Sequence, residues 1–420
     1  MKFKNIFLLI IASLLICCKD FSSKPDFTKS FIKVYGGSEE NVLSSVEISS
    51  DGGYILIGTS LSFGNGSQMI ITKTDQFGNQ QWQRDFGEAG ADSGRAIKQT
   101  PDGGYIAIGS FQDTVSKISS MYVVKMDNMG LLIWSKKYNE SPKRNAYGHD
   151  IAITKDQSNY LLGGSILNPA TNTGIRMAFV RKIDANGEQI LPVPQPRGIN
   201  GINTMANSIY EGNDSGIDWI GTGGILNSQG GSQNISPIFV RLNKSGNEIF
   251  AFDKTAPNIK SETMINANVG LKTSDGGYII HGTSINSGVN KAYLLKLTEG
   301  NSTIPPTKSW FNEFGNGPTF GSSVCETSDG GFAIVGSTFG DSQNSSNGGS
   351  DIYLARIDKM GNKVWEKTFG GTSNDLAAGV KQTKDGGFVI SGTMSLITTP
   401  NDNKVMCLIK VDSNGDLTNK

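Results

Sequence analysis

The sequence contains little of what most enzymes and metalloproteins depend on. Its 420 residues include only two histidines and four cysteines, too few for a histidine-based metal site or a disulfide scaffold. Lys plus Arg and Asp plus Glu both number 38, so bulk electrostatics would not drive binding to nucleic acid or anionic membranes. No Gly-x-Ser-x-Gly elbow and no phosphate-binding loop occurs in the sequence. We therefore predict no metal, no cofactor and no nucleic-acid partner.

The first 18 residues have the pattern of an export signal. Two lysines precede the apolar run Ile6–Ile16, which is too short to span a bilayer because a spanning helix needs about 20 residues. Two cysteines follow directly, and the second, Cys18, has Leu15 three residues before it. This arrangement resembles the lipobox of bacterial lipoproteins, which implies that Cys18 becomes a lipidated first residue. The alternative is an ordinary secretory signal with two incidental cysteines.

The lipobox resemblance divides the chain into three parts. It implies a signal peptide over residues 1–18, a polar linker over residues 19–28 and a folded domain over residues 29–420. Acyl chains such as palmitate contribute about 0.8 kcal/mol per buried CH₂ group, so the mature chain would sit on a membrane without crossing it. We predict a monomeric lipoprotein of the bacterial cell envelope, in the outer membrane, on its periplasmic or surface face.

Glycine is abundant, with 53 residues, and much of it belongs to a repeat. In five places an Asp-Gly-Gly-aromatic sequence precedes an apolar run that ends in Gly, and two degenerate copies fit the same spacing. The seven Asp residues are Asp51, Asp102, Asp156, Asp214, Asp275, Asp329 and Asp385. Their spacing of 51 to 61 residues is too long for helical or leucine-rich repeats and suits a four-stranded propeller blade.

Each repeat contains four strand signals, which we name A to D. In the first repeat they are Val46–Ser49, Tyr54–Ile57, Met69–Thr74 and Gln80–Phe86. Strand B is continuously apolar, as expected of a strand that is covered on both faces. It is therefore predicted to form the core and not a site.

The two ends of the chain complete one another. The last repeat stops after strand C and its turn at Gly415, whereas the chain opens with Phe31–Gly37, which matches the D strand Trp365–Gly371. An orphan D strand at the start and a missing one at the end close a ring and remove exposed sheet edges. We predict an all-β, seven-bladed β-propeller of four-stranded antiparallel blades, in which residues 29–37 complete the blade of residues 376–415.

A basic residue precedes the turn between strands C and D in every repeat. These residues are Lys73, Lys125, Lys182, Arg241, Lys296, Arg356 and Lys410. Chain direction places the C–D turns and the Asp-Gly-Gly turns at the same end of the propeller, so each cation can reach an Asp. We predict structural ion pairs, among them Asp51 with Lys73, Asp102 with Lys125, and Asp385 with Lys410, because acid and base are matched whereas an anion site would have excess base. C–D turns such as Asp75–Gly78 offer one acidic ligand, too few for calcium.

The opposite end carries the B–C and D–A loops, whose lengths vary between repeats. Loops that vary on an invariant scaffold are where repeat proteins usually bind. The residues seven before each Asp are predicted to lie there beside the central channel: Ser44, Arg95, His149, Asn207, Asn268, Ser322 and Ala378. With nearby acids, the candidate ligand-binding set is Asp92, Arg95, His149, Asp150, Asn207, Asn268 and Asp375. The alternative is that this mouth is polar only because it is wet.

Three further residues have side chains that can react or bind a metal, but each has a simpler structural interpretation. His281 replaces an aliphatic residue of strand B, which indicates a buried packing residue. Cys325 and Cys407 lie on an A and a C strand of the same or adjacent blades, where two free buried thiols are favoured over a disulfide.

The repeats resemble those of bacterial β-propeller lipoproteins with a Thr-x-Asp-Gly-Gly-Tyr signature. The matching segments are Gln99–Tyr105, Lys272–Tyr278, Gln382–Phe388 and Phe369–Asp375. The resemblance covers residues 29–415 and implies the fold, but it says little about activity.

The runs Asp75–Trp82, Asp127–Trp134 and Asp358–Trp365 are distantly similar to the tryptophan motif of quinoprotein-like propellers. Those enzymes stack a quinone on a vicinal cysteine pair, and the only such pair here is in the signal peptide. Non-catalytic members of that group are scaffolds for outer-membrane protein assembly and usually have eight blades.

These observations favour a non-catalytic binding module whose partner is an envelope protein or a glycan. One alternative is an envelope enzyme, a glycan-active hydrolase or lyase that uses acidic residues at the channel mouth. The others are a scaffold for outer-membrane protein assembly and a display spacer without a ligand.

Overall fold

The protein folds as a ring of seven antiparallel sheets. The computed structural model describes residues 30–36, 40–61, 66–139, 143–167, 176–190, 202–212, 214–226, 232–252, 266–300, 304–340, 349–398 and 401–417. Within these residues every regular element is a β-strand. The predicted signal peptide, the lipidation residue Cys18 and the linker lie outside the described residues.

The strands are numbered in the order in which they follow one another along the chain. The first strand and blades 1 to 3 comprise β1 (Phe31–Tyr35), β2 (Asn41–Ile48), β3 (Tyr54–Ser60), β4 (Gln68–Thr74), β5 (Gln80–Phe86), β6 (Ser93–Gln99), β7 (Tyr105–Gln112), β8 (Ser119–Met126), β9 (Leu132–Tyr138), β10 (Ala146–Ile153), β11 (Asn159–Leu167) and β12 (Arg176–Asp184). Blades 4 and 5 comprise β13 (Ile202–Glu211), β14 (Ile217–Leu226), β15 (Ser232–Leu242), β16 (Glu248–Phe252), β17 (Val269–Lys272), β18 (Tyr278–Asn286), β19 (Val289–Leu297) and β20 (Lys308–Phe314). Blades 6 and 7 comprise β21 (Thr319–Glu326), β22 (Phe332–Thr338), β23 (Asp351–Ile357), β24 (Lys363–Phe369), β25 (Leu376–Gln382), β26 (Phe388–Thr398) and β27 (Asn401–Val411).

Each blade is one up-and-down sheet with strands A to D in sequence order. Six sheets have four strands, and blade 3 shows three, β10 to β12, in the described residues. The stretch after blade 3, residues 191–201, lies outside those residues. The predicted all-β, seven-bladed propeller is confirmed.

The ring closes through the first strand, as predicted. β1 pairs antiparallel with β27, with Phe31 opposite Lys410 and Tyr35 opposite Met406. It thereby becomes strand D of blade 7 in the sheet order β1-β27-β26-β25. Tyr35 is buried, and its hydroxyl donates to the carbonyl oxygen of Gly78 in blade 1 at 2.7 Å. The closing strand therefore joins the last blade to the first.

The hydrophobic core is divided between the blade interfaces. Seven clusters of buried apolar residues lie in the described chain, one between each pair of neighbouring blades. Between blades 1 and 2, for example, Ile55 and Ile57 of β3 pack with Ala107 of β7 and Val124 of β8. Each such side chain contributes roughly 1.5–3 kcal/mol on burial. Strand B therefore serves the core on both of its faces.

Aromatic side chains of the D strands pack against the C–D turn of the next blade. Gly130, in the C–D turn of blade 2, lies against Trp82 of blade 1, so closely that a Cβ atom would be 2.8 Å from the indole ring. The same contact joins Gly361 to Trp310, Gly415 to Trp365 and, across the closure, Gly78 to Phe31. The tryptophan of the Asp-x-x-Gly-x-x-x-Trp run is therefore an interblade packing residue.

The aromatic residue of the Asp-Gly-Gly-aromatic sequence completes this interface. Trp82 meets Tyr105 of the next blade edge-on, with ring centroids 6.0 Å apart. Equivalent pairs are Trp310 with Phe332, Trp365 with Phe388, and Phe31 with Tyr54. Edge-to-face pairs of this kind contribute about 0.5–1.5 kcal/mol beyond the area they bury.

Candidate functional site

The innermost A strands surround a central channel of about 610 Å³ that all seven blades line. Six A strands contain a β-bulge against strand B, and in each the unpaired residue is the one seven before the repeat Asp. In blade 5 the corresponding residue, Asn268, directly precedes β17 and donates its backbone N–H to the His281 carbonyl. Bulges re-aim a side chain and are common beside functional sites.

The bulge residues form one layer of the channel. They are Ser44, Arg95, His149, Asn207, Asn268, Ser322 and Ala378, and all line the cavity. The sequence predicted these residues to lie where strand A begins, but most lie inside strand A because the strands start earlier. Equivalent backbone positions thus carry seven side chains of very different chemistry.

A hydrogen-bonded chain connects blades 3, 4 and 5 in this layer. The Asn207 amide nitrogen donates to the Ala267 carbonyl at 2.7 Å, so its Oδ1 accepts from Nδ1 of His149 at 3.0 Å. The Ser165 hydroxyl, 3.1 Å from Nε2 of His149, then serves as the donor to that nitrogen. Burial lowers the pKa of His149 to about 4, which keeps the imidazole neutral.

Two arginines stand beside this histidine. Arg176 donates to the Ser165 hydroxyl at 3.4 Å and lies over the Tyr147 ring at 4.6 Å. Arg95 projects from the bulge of blade 2 and has no hydrogen bond or ion pair to any described residue, and its side chain remains exposed to the channel. The surrounding protein and the charge of Arg176 lower the pKa of Arg95. Two guanidinium groups therefore act on the same side of the channel, and one of them, Arg95, has no described partner.

A second layer lies three residues further along the A strands and contains three charged side chains that pair with one another. Glu47 accepts hydrogen bonds from Lys98 and from Lys381, the latter at 3.0 Å. Burial opposes ionisation of Glu47, but the two lysines outweigh it and bring the pKa to about 2. Asp150, which follows the bulge residue His149, accepts from the backbone N–H of Ile209 at 3.0 Å, and burial raises its pKa. Sequence reasoning missed Glu47, Lys98 and Lys381, although all three occupy the same position, four before the repeat Asp.

The other predicted acids lie elsewhere. Asp92 and Asp375 are buried and are not among the described residues that line the channel. Asp92 accepts from the backbone N–H groups of Glu88 at 2.6 Å and Gln112 at 2.7 Å. Asp375 accepts from Gly371 and Ser395 in the same way. Each of the two carboxylates therefore organises a D–A loop.

Asn268 links two blades at the bulge layer. Its amide nitrogen donates to the carbonyl oxygen of Gly321 in blade 6, and its side chain lines the channel. The predicted set thus separates into five residues that line one cavity, Arg95, His149, Asp150, Asn207 and Asn268, and two acids that hold loops.

At the opposite end, the basic residues pair with the turn acids. In blade 1, Lys73 donates to Asp51 at 2.7 Å and to the Thr74 carbonyl at 2.8 Å. The same arrangement occurs for Lys125 with Asp102, Lys296 with Asp275, Arg356 with Asp329, and Lys410 with Asp385. Burial raises the pKa of Asp102, but hydrogen bonds from Lys125 and Thr100 outweigh it and bring the pKa to about 2.

Blades 3 and 4 depart from this arrangement. Arg241 makes a two-point contact with Asp218, at 2.7 and 2.9 Å, and not with the turn residue Asp214. Lys182 forms no ion pair with the described acids, although its charge helps to lower the pKa of Asp156. These two blades also have the degenerate turns, so the deviation in sequence accompanies a deviation in pairing.

The remaining reactive residues are buried. Both ring nitrogens of His281 face carbonyl oxygens, of Tyr293 at 2.8 Å and Val335 at 3.2 Å, and burial lowers its pKa to about 4. Cys325 and Cys407 are both free and buried. Burial raises the pKa of the Cys325 thiol to about 11 and that of Cys407 to about 12, which leaves both thiols unreactive.

No group of three His, Cys, Asp or Glu side chains in the described part of the chain could hold a metal ion. None of the described segments is a helix of the length and apolarity needed to cross a membrane.

Comparisons with known proteins found structural similarity at low sequence identity. No family model and no curated protein sequence matches the chain. Sqt1 of Chaetomium thermophilum is similar at 10% identity and a TM-score of 0.48, over 92% of this chain and 97% of that one. A Dyadobacter fermentans protein of unknown function is similar at 12% identity and a TM-score of 0.47, over 90% and 98%. The β-propeller domain of the Trilobed protease from Pyrococcus furiosus is similar at 11% identity and a TM-score of 0.47, over 93% and 97%.

Proposed function

We propose that this chain is a non-catalytic binding module that receives its ligand at the channel mouth on the variable-loop face. The observation that carries the proposal is the bulge layer. Seven equivalent positions direct side chains of five kinds, Ser, Arg, His, Asn and Ala, into one cavity of about 610 Å³. A side chain that only maintained the repeat would recur from blade to blade, as the turn lysines do. Variation at a position that the fold holds constant is expected of a binding surface.

Filling the channel tests this proposal. Ser322→Tyr places a ring in the cavity from a blade outside the hydrogen-bonded chain, and Ser413→Tyr places the same ring on an exposed turn at the opposite end. Envelope protein and glycan fractions are passed over the wild type and both variants, and the retained species are identified by mass spectrometry. We expect species that the wild type and Ser413→Tyr retain and Ser322→Tyr does not. The same retained set for all three proteins would refute a channel-mouth site.

We further propose that Cys18 anchors the module to the bacterial envelope, in the outer membrane. The support is the basic start, the short apolar run and the lipobox-like residues before Cys18. Expression in a bacterial host with labelled palmitate should label the wild type and leave Cys18→Ala unlabelled and unprocessed. Cys17→Ala is the matched control and should still be labelled. Equal labelling of all three chains, or none, would contradict the assignment.

A glycan-active enzyme is the second candidate, and one observation favours it. The channel holds two carboxyl groups whose pKa values move apart: that of Asp150 rises through burial, and that of Glu47 falls to about 2. Such divergence is typical of an acid and its ionised partner in glycoside hydrolysis. It ranks second because Glu47 is held by Lys98 and Lys381, and Asp150 by a backbone N–H. Release of reducing sugar from envelope polysaccharide by the wild type, and not by Asp150→Asn, would reverse this order.

A further inference from the structure

We infer that the channel mouth binds a small oxyanion, a carboxylate or phosphate group, between Arg95 and Arg176. This inference rests on the proposed function and names the chemistry of its ligand. The two guanidinium groups come from blades 2 and 3. Arg95 lines the channel in the bulge layer, and Arg176 reaches this layer through the Ser165 hydroxyl, which is itself hydrogen-bonded to His149. Guanidinium groups bind carboxylate and phosphate by paired, charge-assisted hydrogen bonds.

The first support is that Arg95 has no partner among the described residues. The cations at the other end of the propeller behave differently: Lys73, Lys125 and Lys296, for example, each reach a carboxylate at 2.7 Å. Inside the channel, Lys98 and Lys381 both reach Glu47. A cation partly enclosed by protein loses hydration, and this loss is unfavourable unless an anion compensates it.

The second support is that the neighbours of Arg95 add positive charge or none. Arg176 is the charged group that acts on Arg95, and both arginines act on His149. His149 is neutral because it is buried. Neither channel acid is a partner of Arg95, because Glu47 is held by its two lysines and Asp150 faces Lys98. Two like charges side by side are unfavourable, and an anion that bridges them removes the repulsion.

The third support is that the site is organised before a ligand arrives. Arg176 is fixed by the Ser165 hydroxyl at 3.4 Å and by the Tyr147 ring at 4.6 Å. Ser165 in turn holds His149, which is bonded to Asn207 of the next blade. Arg176 is therefore positioned by two neighbours, one of which is itself held in a hydrogen-bonded chain, whereas Arg95 is exposed to the channel and can close on a bound group. Preorganisation of this kind reduces the ordering cost of binding.

Anion binding can be measured directly on the mature chain. Inorganic phosphate, sulfate and acetate are titrated by calorimetry at constant ionic strength, with chloride as the background anion. We expect saturable binding of at least one of these anions to the wild type. Arg95→Gln should weaken it roughly tenfold to a hundredfold, the effect of losing charge-assisted hydrogen bonds. Lys367→Gln removes one positive charge from the outer edge of blade 6, where Lys367 pairs with Asp416, and should leave the affinity unchanged.

The three anions and the two variants distinguish the possible outcomes of this titration. Binding of phosphate and sulfate without acetate identifies a tetrahedral oxyanion, and binding of acetate identifies a carboxylate; both support the inference. No saturable binding, or equal loss in Lys367→Gln, would overturn it. Because Arg95 has no described partner, Arg95→Gln should fold, and in anion-free buffer its melting temperature should equal or exceed that of the wild type. If Ser322→Tyr still abolishes ligand retention while no anion binds, the binding module stands and only its anion specificity is refuted.

Discussion

Replacing Gly130 with Ala should destabilise the ring far more than replacing Gly103 with Ala, although both lie in turns of blade 2. Their φ angles are +77° and +81°, so an L-residue at either position incurs the same left-handed strain of about 1–2 kcal/mol. Their surroundings differ. A Cβ atom at Gly103 meets nothing within 4 Å, whereas one at Gly130 lies 2.8 to 3.0 Å from three atoms of the Trp82 indole.

The magnitude follows from how firmly Trp82 is held. Carbon atoms pack best at about 3.5–4.0 Å, so either the turn or the ring must move by more than half an ångström. Trp82 is 9% exposed and meets Tyr105 edge-on in the same interface, so a shift of the ring disturbs a second contact. Overpacking of this kind costs about 1–3 kcal/mol. The free energy of unfolding should therefore fall by about 1–3 kcal/mol more for Gly130→Ala than for Gly103→Ala.

Guanidinium titration of both variants and the wild type measures this difference directly. A double-mutant cycle identifies its cause: if the indole is responsible, the cost of Gly130→Ala should shrink in a Trp82→Leu background while the cost of Gly103→Ala stays the same. Equal costs for the two glycine variants would refute the idea that D-strand aromatics lock neighbouring blades. So would a Gly130→Ala cost that does not respond to Trp82→Leu.

Three further changes have defined outcomes. Tyr35→Phe removes the hydroxyl that joins blade 7 to blade 1 and should cost about 0.5–1.5 kcal/mol in denaturant titration, whereas Val34→Ala, at a side chain that is 51% exposed, should cost less than about 0.5 kcal/mol; the reverse order would contradict closure by β1. His281→Ile should make the protein less sensitive to acid, because burial brings the folded-state pKa of His281 to about 4 from an ordinary 6.5. The unfolded state therefore binds a proton first, and the stability of the wild type falls as the pH drops from 6.5 towards 4, by about 2–3 kcal/mol at pH 4.5. Identical pH–stability curves for the wild type and the variant would contradict this. Lys125→Met should raise the pKa of Asp102 from about 2 towards its ordinary 3.8 in an NMR titration, and an unchanged value would show that Lys125 does not hold the carboxylate.

The sequence predicts the fold well because its strongest signals are local. Strand D of the first repeat is predicted at Gln80–Phe86 and found there as β5, since a tight turn and a tryptophan delimit it. Strand A is predicted from Val46, but β2 begins at Asn41. Its first half contains polar residues and a bulge, so the alternation that marks a strand is broken. A β-bulge inserts one extra residue into the strand and so interrupts the alternation of buried and exposed side chains. A search for that alternation therefore misses the part of the strand that contains the bulge.

The candidate site is predicted only in part because its residues are related through the ring. Seven-residue spacing from each Asp finds the bulge layer, since the spacing is a property of one repeat. The Glu47–Lys98 and Glu47–Lys381 pairs join blade 1 to blades 2 and 7, so they appear only when the blades are placed around the axis. The loop contacts of Asp92 and Asp375 are hidden from sequence for the converse reason. In sequence each lies three residues before a channel-lining residue, Arg95 or Ala378. Their carboxylates nevertheless accept hydrogen bonds from backbone N–H groups of their own loops.

A repeat protein contains its own control for separating residues that serve the fold from residues that serve a ligand. At the bulge position the repeats accept Ser, Arg, His, Asn and Ala, so the backbone there does not depend on side-chain identity. Ser322→Asn, which installs the residue of blades 4 and 5, should therefore change the free energy of unfolding by less than about 0.5 kcal/mol. Val324→Ala, two residues further along the same strand at a buried position, removes two methyl groups from an interblade core and should cost about 2 kcal/mol. Comparable costs for the two variants in denaturant titration would mean that the bulge layer is part of the core, and its chemical variety would then have no bearing on binding.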